Sequence, residues 1–269
     1  MLGKTVHLRR LQYSASGRIF TVALDHAPSY GVLPGLERME HILEQVAEGR
    51  PDAIMLMQGM AERCFDPYAG RINLILKCSS LSPYHPQQDV QVSGVEDALR
   101  LGADAIAMAV TVGSPRQPSL MSSLADLVRE AAHFGLPVIA HAYPNGDLVP
   151  KAEQYSAERV AYAARMVAEL GVDIVKTFYT GSAESFAQVV EAAAPVWVVA
   201  AGGPKMETES DVFQTARAVV ESGAAGITFG RNVWQSSDPG LMVDILGKII
   251  HQGMAPEEAL QLWRREGAC

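Results

Sequence analysis

Short apolar runs recur along this chain over 19–24, 53–57, 72–76, 105–110, 137–142, 174–179, 196–201 and 226–229, with segments of helical periodicity between them. The runs are continuously apolar and rich in Val, Ile, Leu and Ala, as parallel strands covered on both faces must be. Helices are expected over 35–47, 95–101, 120–134, 156–170, 183–193, 208–222 and 240–252. A glycine recurs ahead of several strands, in Gly102-Ala103-Asp104-Ala105-Ile106, Gly171-Val172-Asp173-Ile174-Val175 and Gly223-Ala224-Ala225-Gly226-Ile227. There a helix should end in the left-handed conformation. Arg50-Pro51-Asp52-Ala53-Ile54 follows the same scheme with its glycine earlier, at Gly49. One strand-helix unit is thus used repeatedly. Eight such strands in about 250 residues fit an α/β fold of the (β/α)8 TIM-barrel type. An open doubly wound sheet usually has fewer strands and a Gly-x-Gly-x-x-Gly after the first, which is missing here.

With 269 residues, 48% of them hydrophobic, the chain can bury a large core, and no low-complexity tract divides it. The expectation is one TIM-barrel domain over 1–269, with a lead-in over 1–17, the barrel over 18–253 and a C-terminal helix over 254–269. Pro256-Glu257-Glu258 opens that helix, whose apolar side runs through Leu260 and Trp263. No stretch approaches the roughly 18 uninterrupted apolar residues of a membrane span, and no apolar block follows the basic residues of 1–13. A soluble, cytoplasmic protein is expected. Cys64, Cys78 and Cys269 lack Cys-x-x-Cys spacing, so neither a disulfide framework nor a zinc knuckle is indicated. A formal net charge of -8 argues against nucleic-acid or acidic-membrane partners. Any anionic ligand would need a local positive site.

In a barrel of this type, functional groups gather at the C-terminal ends of the strands. Strand one ends in Asp25-His26, strand three in Lys77-Cys78, strand five in His141-Ala142-Tyr143, and strand six carries Lys176 and Tyr179. Lys176 lies in the apolar run Asp173-Ile174-Val175-Lys176-Thr177-Phe178-Tyr179, where an ammonium group costs several kcal/mol. Desolvation disfavours its charged form and leaves a neutral amine able to attack a carbonyl and form a Schiff base. A lysine that snorkels to water or pairs with a carboxylate is the plainer reading of any one strand lysine. Lys77 is a rival nucleophile by the same pattern. An amine, a phenol and a carboxylate converging on one mouth can run imine chemistry, but Asp25 alone reads equally as a cap or a lysine partner, and Tyr143 as a packed aromatic with its hydroxyl at the rim. His26 and His141 lack the close spacing of a local metal motif, so no metal is assigned.

Strand seven runs into Ala201-Gly202-Gly203-Pro204-Lys205 and strand eight into Phe229-Gly230-Arg231-Asn232. Glycines there let backbone N–H groups approach an anion, and Arg231 offers a bidentate contact. Phosphate binding by Gly202, Gly203, Gly230 and Arg231 is the expectation.

Ala23-Leu24-Asp25-His26, Tyr143-Pro144-Asn145-Gly146, the run from Asp173 to Gly181, Ala201-Gly202-Gly203-Pro204-Lys205 and Gly230-Arg231-Asn232-Val233-Trp234-Gln235 resemble the archaeal-type class I fructose-bisphosphate aldolase family. That family includes 2-amino-3,7-dideoxy-D-threo-hept-6-ulosonate synthases and autoinducer-2 phosphate thiolases. The resemblance spans about 18–251 in order and implies a (β/α)8 barrel in which Lys176, favoured over Lys77, forms the Schiff base. It further implies Tyr143 as general acid/base, Asp25 as second proton-transfer residue, Gly202, Gly203, Gly230 and Arg231 at the phosphate, and His26 beside the substrate. It implies a homo-oligomer, commonly a decamer, acting on a phosphorylated sugar or keto substrate with no metal or organic cofactor. Members often carry Asp-His-Gly and Tyr-Pro-Arg-Gly where this chain has Asp25-His26-Ala27 and Tyr143-Pro144-Asn145-Gly146. The expected activity is a class I aldolase or transaldolase, with a lysine-dependent thiolase, a metal-dependent aldolase and a non-catalytic sugar-phosphate-binding barrel as alternatives. Losing that arginine points to a substrate with one phosphate, or with a different polar group at its distal end. The segments 60–71 and 79–92 carry no assignable element.

Overall fold

The computed structural model describes residues 1–267. Its strands are β1 (Ile19–Ala23), β2 (Ala53–Met57), β3 (Asn73–Lys77), β4 (Ser79–Ser82), β5 (His85–Gln91), β6 (Ala105–Thr111), β7 (Val138–Tyr143), β8 (Ile174–Phe178), β9 (Trp197–Ala201) and β10 (Gly226–Phe229). Eight of them close into a parallel barrel in the order β1-β10-β9-β8-β7-β6-β3-β2, while β4 and β5 pair antiparallel as a separate hairpin. The expected strands thus form the expected closed barrel, and the unassigned segment 79–92 supplies the hairpin. A helix over Gln58–Cys64 occupies part of the other unassigned segment.

Period-two alternation sorts the barrel strands into an inner and an outer set. Ile19, Ala23, Met55, Ile75, Ala107, Ile139, Ile174 and Val199 fill the barrel interior, while Phe20, Val22, Leu56, Leu76, Val110, Val175 and Val198 pack outward beneath the helices. The outward layer explains why the runs read as continuously apolar. The 1–17 lead-in contains a helix, Leu2–Leu11, whose fully buried Leu11 joins the interior cluster and plugs the barrel at its N-terminal end.

The aspartates of the repeated strand-entry motif hold that end together. Asp52 accepts a 2.7 Å hydrogen bond from the Phe20 N–H, and Asp173 accepts one of 2.9 Å from Val138. Asp104 pairs with His7 and Arg10, and Asp173 with Lys4, so the N-terminal helix is tied to strand starts by its basic side chains. Gly102, Gly171 and Gly223 all have positive φ, as expected of helix ends. Gly49 does not follow the scheme: its φ is -76°, and the left-handed residue is Arg50 at φ 56°. Glycine is required at 49 for space, because a Cβ there would come within 2.4 Å of the Val243 Cβ and 2.5 Å of the Gly240 carbonyl oxygen. The helix expected over 35–47 is Met39–Glu48, because Arg38 is still extended (φ -128°, ψ 91°). The C-terminal helix is Pro256–Glu266, and residues 268 and 269 of the expected 254–269 lie outside the described residues. Among the described residues no helix is long and apolar enough to cross a membrane.

Candidate active site

The parity that fills the barrel also aims its chemistry. Lys176 stands two residues beyond Ile174, Lys77 beyond Ile75, His141 beyond Ile139 and Asp25 beyond Ala23, so each continues an inward-facing row at the strand's C-terminal end. They meet in a cavity at that end, lined also by His26, Tyr143, Gly202, Gly203, Gly230 and Arg231. The candidate catalytic and phosphate-site residues therefore converge, whereas Tyr179 and Cys78 pack with the outer core.

Burial lowers the Lys176 ammonium from its ordinary 10.5 to about 8, with the Asp25 carboxylate opposing the shift and the Lys77 and Arg231 cations adding to it. Lys77 is equally buried, but its ammonium is spent locally: it donates to the Ser79 carbonyl and, at 3.0 Å, to the Ser79 hydroxyl. That hydroxyl in turn accepts from the Ala109 N–H at 2.8 Å. Both lysines line the cavity, but only Lys77 is held by hydrogen bonds among the described residues.

Burial pushes the Asp25 carboxyl up, yet His26, Lys176, Lys77 and its own backbone N–H outweigh burial and hold it below the usual carboxylate range. It is an anion at neutral pH. His26 is lowered to about 4 by burial, against the pull of Asp25, and is neutral at pH 7. Its Nδ1 lies 3.5 Å from Asp25 Oδ1, within ion-pair range but without hydrogen-bond geometry, and its ring meets Trp234 edge-on with centroids 5.4 Å apart. His141, held below its ordinary value by burial and by the two lysines, stays neutral too. Tyr143 is held well above the ordinary phenol range by burial and by Asp25, Tyr30 and Asp89, so its hydroxyl keeps its proton. Its ring stacks on Phe178 at 4.6 Å, and Tyr155 covers the other part of Phe178 at 4.8 Å.

Between Lys176 on β8 and Asp25-His26 after β1, Gly202 and Gly203 follow β9, and Gly230 and Arg231 follow β10. A side chain at 230 would strike the His26 ring, whose Cε1 lies 2.6 Å from the position of a Cβ. The two loops are stitched by fully buried Asn232, which donates to the carbonyls of Gly202 (2.8 Å) and Pro204 (3.1 Å) and accepts from the Met206 N–H (2.8 Å). The Arg231 guanidinium sits 5.5 Å from the centre of the Tyr30 ring, and its buried Nε has no hydrogen-bond partner among the described residues. A positioned donor without an acceptor is the mark of an anion site.

Three residues of the site carry no readable signal in the sequence. Tyr30 comes from a one-turn helix, Ala27–Tyr30, too short for a periodic pattern. Asn232 lies inside the Gly230-Arg231-Asn232 motif, where nothing in the sequence betrays its stitching role. Asp89 arrives on β5, in a segment His85-Pro86-Gln87-Gln88-Asp89-Val90-Gln91 with no hydrophobic alternation to reveal a strand.

A closed barrel with a buried amine, a protonated phenol, an ionised carboxylate and an anion loop at one mouth defines the Schiff-base-forming aldolases as a class. The family model of the DeoC/LacD family aldolases matches residues 17–236, and the chain belongs to that family. It is similar to a 2-amino-3,7-dideoxy-D-threo-hept-6-ulosonate synthase of Halobacterium salinarum, 35% identical over 260 residues covering 96% of this chain and 95% of the relative. A 2-amino-4,5-dihydroxy-6-oxo-7-(phosphonooxy)heptanoate synthase of Streptomyces griseus is 33% identical, covering 92% of this chain and 90% of that one. Among solved structures, an archaeal fructose 1,6-bisphosphate aldolase is 33% identical with a TM-score of 0.85, covering 93% of this chain and 100% of that one. An archaeal fructose-1,6-bisphosphate aldolase whose catalytic lysine is covalently bound to the carbinolamine intermediate of its substrate superposes equally well, at 32% identity and TM-score 0.85 over 92% of this chain and 99% of that one. The enzyme is a class I aldolase, a carbon–carbon lyase that works through a Schiff base.

Proposed function

We propose that Lys176 forms the imine with a ketone carrying a single phosphate beside its carbonyl, and that the enzyme makes or breaks the C–C bond of that 1-phosphorylated 2-ketose or related keto compound. The observation that carries this reading is the contrast between the two buried lysines: Lys176 is brought near neutrality and faces the cavity, whereas Lys77 is bound to Ser79. The neutral Lys176 amine adds to the carbonyl carbon, and the resulting carbinolamine loses water with a proton supplied by the Tyr143 hydroxyl. In the cleavage direction, base removal of the hydroxyl proton lets the C–C bond break, and its electrons move into the protonated imine to give an enamine. Tyr143 is the acid/base at this step and Asp25 the second proton-transfer residue, with neutral His26 contacting the substrate between them. Arg231 and the backbone of Gly202, Gly203 and Gly230 hold the phosphate, which fixes the carbonyl against Lys176.

The name of the Streptomyces griseus relative describes a chain with one phosphonooxy group next to an oxo carbon, and that of the archaeal aldolases a ketose with a phosphate at each end. One phosphate is common to both. A single-phosphate substrate is supported because Arg231 is the one arginine lining the cavity among the described residues, while the loop after β7 contributes Asn145. A cytoplasmic homo-oligomer, with a decamer as the reference form, completes the reading on the strength of the resemblance; light scattering on the purified protein tests the assembly.

Borohydride reduction in the presence of a 1-phosphorylated ketose such as fructose 1-phosphate should fix one substrate fragment on Lys176, read by peptide mass. Labelling of Lys77, or full turnover by Lys176→Met, would overturn the assignment.

A further inference from the structure

We infer that Asp89, brought into the mouth by the β4–β5 hairpin, reads the substrate's end remote from the phosphate and selects a hydrogen-bond-donating group there, an ammonium or hydroxyls, against a second phosphate. The inference rests on Lys176 as the imine-forming amine and Arg231 as the phosphate anchor, and adds a specificity residue to them.

Barrel order fixes the geometry. Asp89 is held by Thr111, whose hydroxyl donates to Asp89 Oδ2 at 2.6 Å, and Thr111 ends β6. In the closed order β1-β10-β9-β8-β7-β6-β3-β2, β6 stands four strands from β10, the strand that ends at Arg231. Four of eight is diametrically opposite. Lys176 on β8 lies midway between them, so a substrate anchored by its phosphate at Arg231 and bonded to Lys176 extends its other end toward Asp89.

Two groups toward that end present acceptor oxygens. Asp89 is buried and lines the cavity, and its second carboxylate oxygen makes no hydrogen bond among the described residues. Asn145, on the neighbouring loop after β7, also lines the cavity and carries a buried side-chain oxygen with no partner among the described residues. The hairpin is pinned to this loop rather than free beside it. Gln87 donates to the Asn145 carbonyl at 3.4 Å and accepts from the Asp147 N–H at 3.1 Å, and the Gln87 carbonyl accepts from Ser114 at 2.9 Å. Arg116 and Lys151 do not line the cavity, and Lys77, which does so from β3 beside β6, is bound to Ser79. The Asp89 carboxylate repels a phosphate and, with the Asn145 amide oxygen, can satisfy a donor.

The test condenses dihydroxyacetone phosphate with three acceptor aldehydes: glyceraldehyde, 3-aminopropanal and glyceraldehyde 3-phosphate. It compares wild type with Asp89→Asn, which keeps the Thr111 contact, and Asp89→Leu. Wild type should favour the aminated or hydroxylated acceptor over the phosphorylated one by at least tenfold in kcat/KM, and Asp89→Asn should compress that ratio by at least tenfold. Loss confined to the aminated acceptor identifies an ammonium as the group read, and parallel loss on both unphosphorylated acceptors identifies hydroxyls. A wild type that prefers the phosphorylated acceptor tenfold, or Asp89 variants that leave all ratios unchanged, would sink the inference. Borohydride trapping of dihydroxyacetone phosphate on Lys176 is the separate control: its failure indicts the assignment of Lys176, whereas trapping with unchanged ratios indicts Asp89 alone. A purely structural role would lower all three activities together and leave the ratios where they were, which counts against the inference.

Discussion

Replacing Lys176 by Met should make the enzyme inactive and more stable at once. Burial lowers this amine from 10.5 to about 8, and at 1.36 kcal/mol per pKa unit the folded state at neutral pH bears a penalty of roughly 3 kcal/mol for keeping the charge there. Methionine is close in length, apolar and unbranched, and removes that penalty. Some of the gain is lost because Lys176 is one of the cations that keep Asp25 ionised, so a net stabilisation of about 1–2 kcal/mol is expected. The sign of its pH dependence is fixed. Between about pH 8 and 10.5 the unfolded chain still binds a proton at this lysine that the folded one has released, so wild-type stability rises with pH relative to the variant. The gain from Lys176→Met is therefore full below pH 8 and vanishes as pH approaches 10.5. Equilibrium urea unfolding at pH 7 and pH 10, with matched m values, measures it. A variant less stable than wild type at pH 7, or a gain that does not shrink on going to pH 10, would refute the claim that Lys176 is a strained, desolvated amine.

Tyr143→Phe should lower kcat by about 10²-fold while the Lys176 imine can still be trapped, since the hydroxyl moves protons and the stacked ring is retained; an unchanged kcat would leave only packing. Arg231→Ala should raise KM mainly for phosphorylated substrates, and equal losses with an unphosphorylated ketone would make Arg231 structural. Deleting residues 1–12 should destabilise the barrel by several kcal/mol, because it removes buried Leu11 and frees Asp104 and Asp173 of their basic partners. Thermal unfolding of the truncated chain at the same Tm as wild type would rule that out.

The barrel was legible because its strands are short, doubly covered and separated by amphipathic helices, so one pattern repeats. The site was legible for the same reason: Lys176 and Lys77 are charges inside apolar runs, an anomaly that survives without any alignment. Which lysine faces the cavity free was not. That depends on Ser79, the first residue of a hairpin that leaves no periodic trace, catching one ammonium and not the other. The aspartates ahead of β2, β6 and β8 were equally mute, since a residue that accepts a neighbouring strand's N–H or anchors the N-terminal helix looks like any polar residue at a turn. Gly49 shows the opposite failure: its type was informative, but the requirement is room beside Val243 and not backbone conformation.

The division of the mouth also gives a physical reason why a chain can keep Schiff-base chemistry while changing what it accepts. With Lys176 as the imine lysine and Arg231 at the phosphate, the loops after β9 and β10, locked together by Asn232, meet the half of the substrate that carries the phosphate and the carbonyl. Any shift there displaces the carbonyl from Lys176, and an error of about 1 Å in such positioning can cost about 10²-fold in rate. The β4–β5 hairpin and the loop after β7 meet the other end, and they are joined mainly by Gln87 contacts at the barrel's rim. Asp89 and Asn145 can be exchanged without touching the loops after β9 and β10, since Asp89 meets the barrel through Thr111 on β6. Selection on the acceptor end is thus separable from selection on imine formation, which is why the two halves should respond independently to substitution.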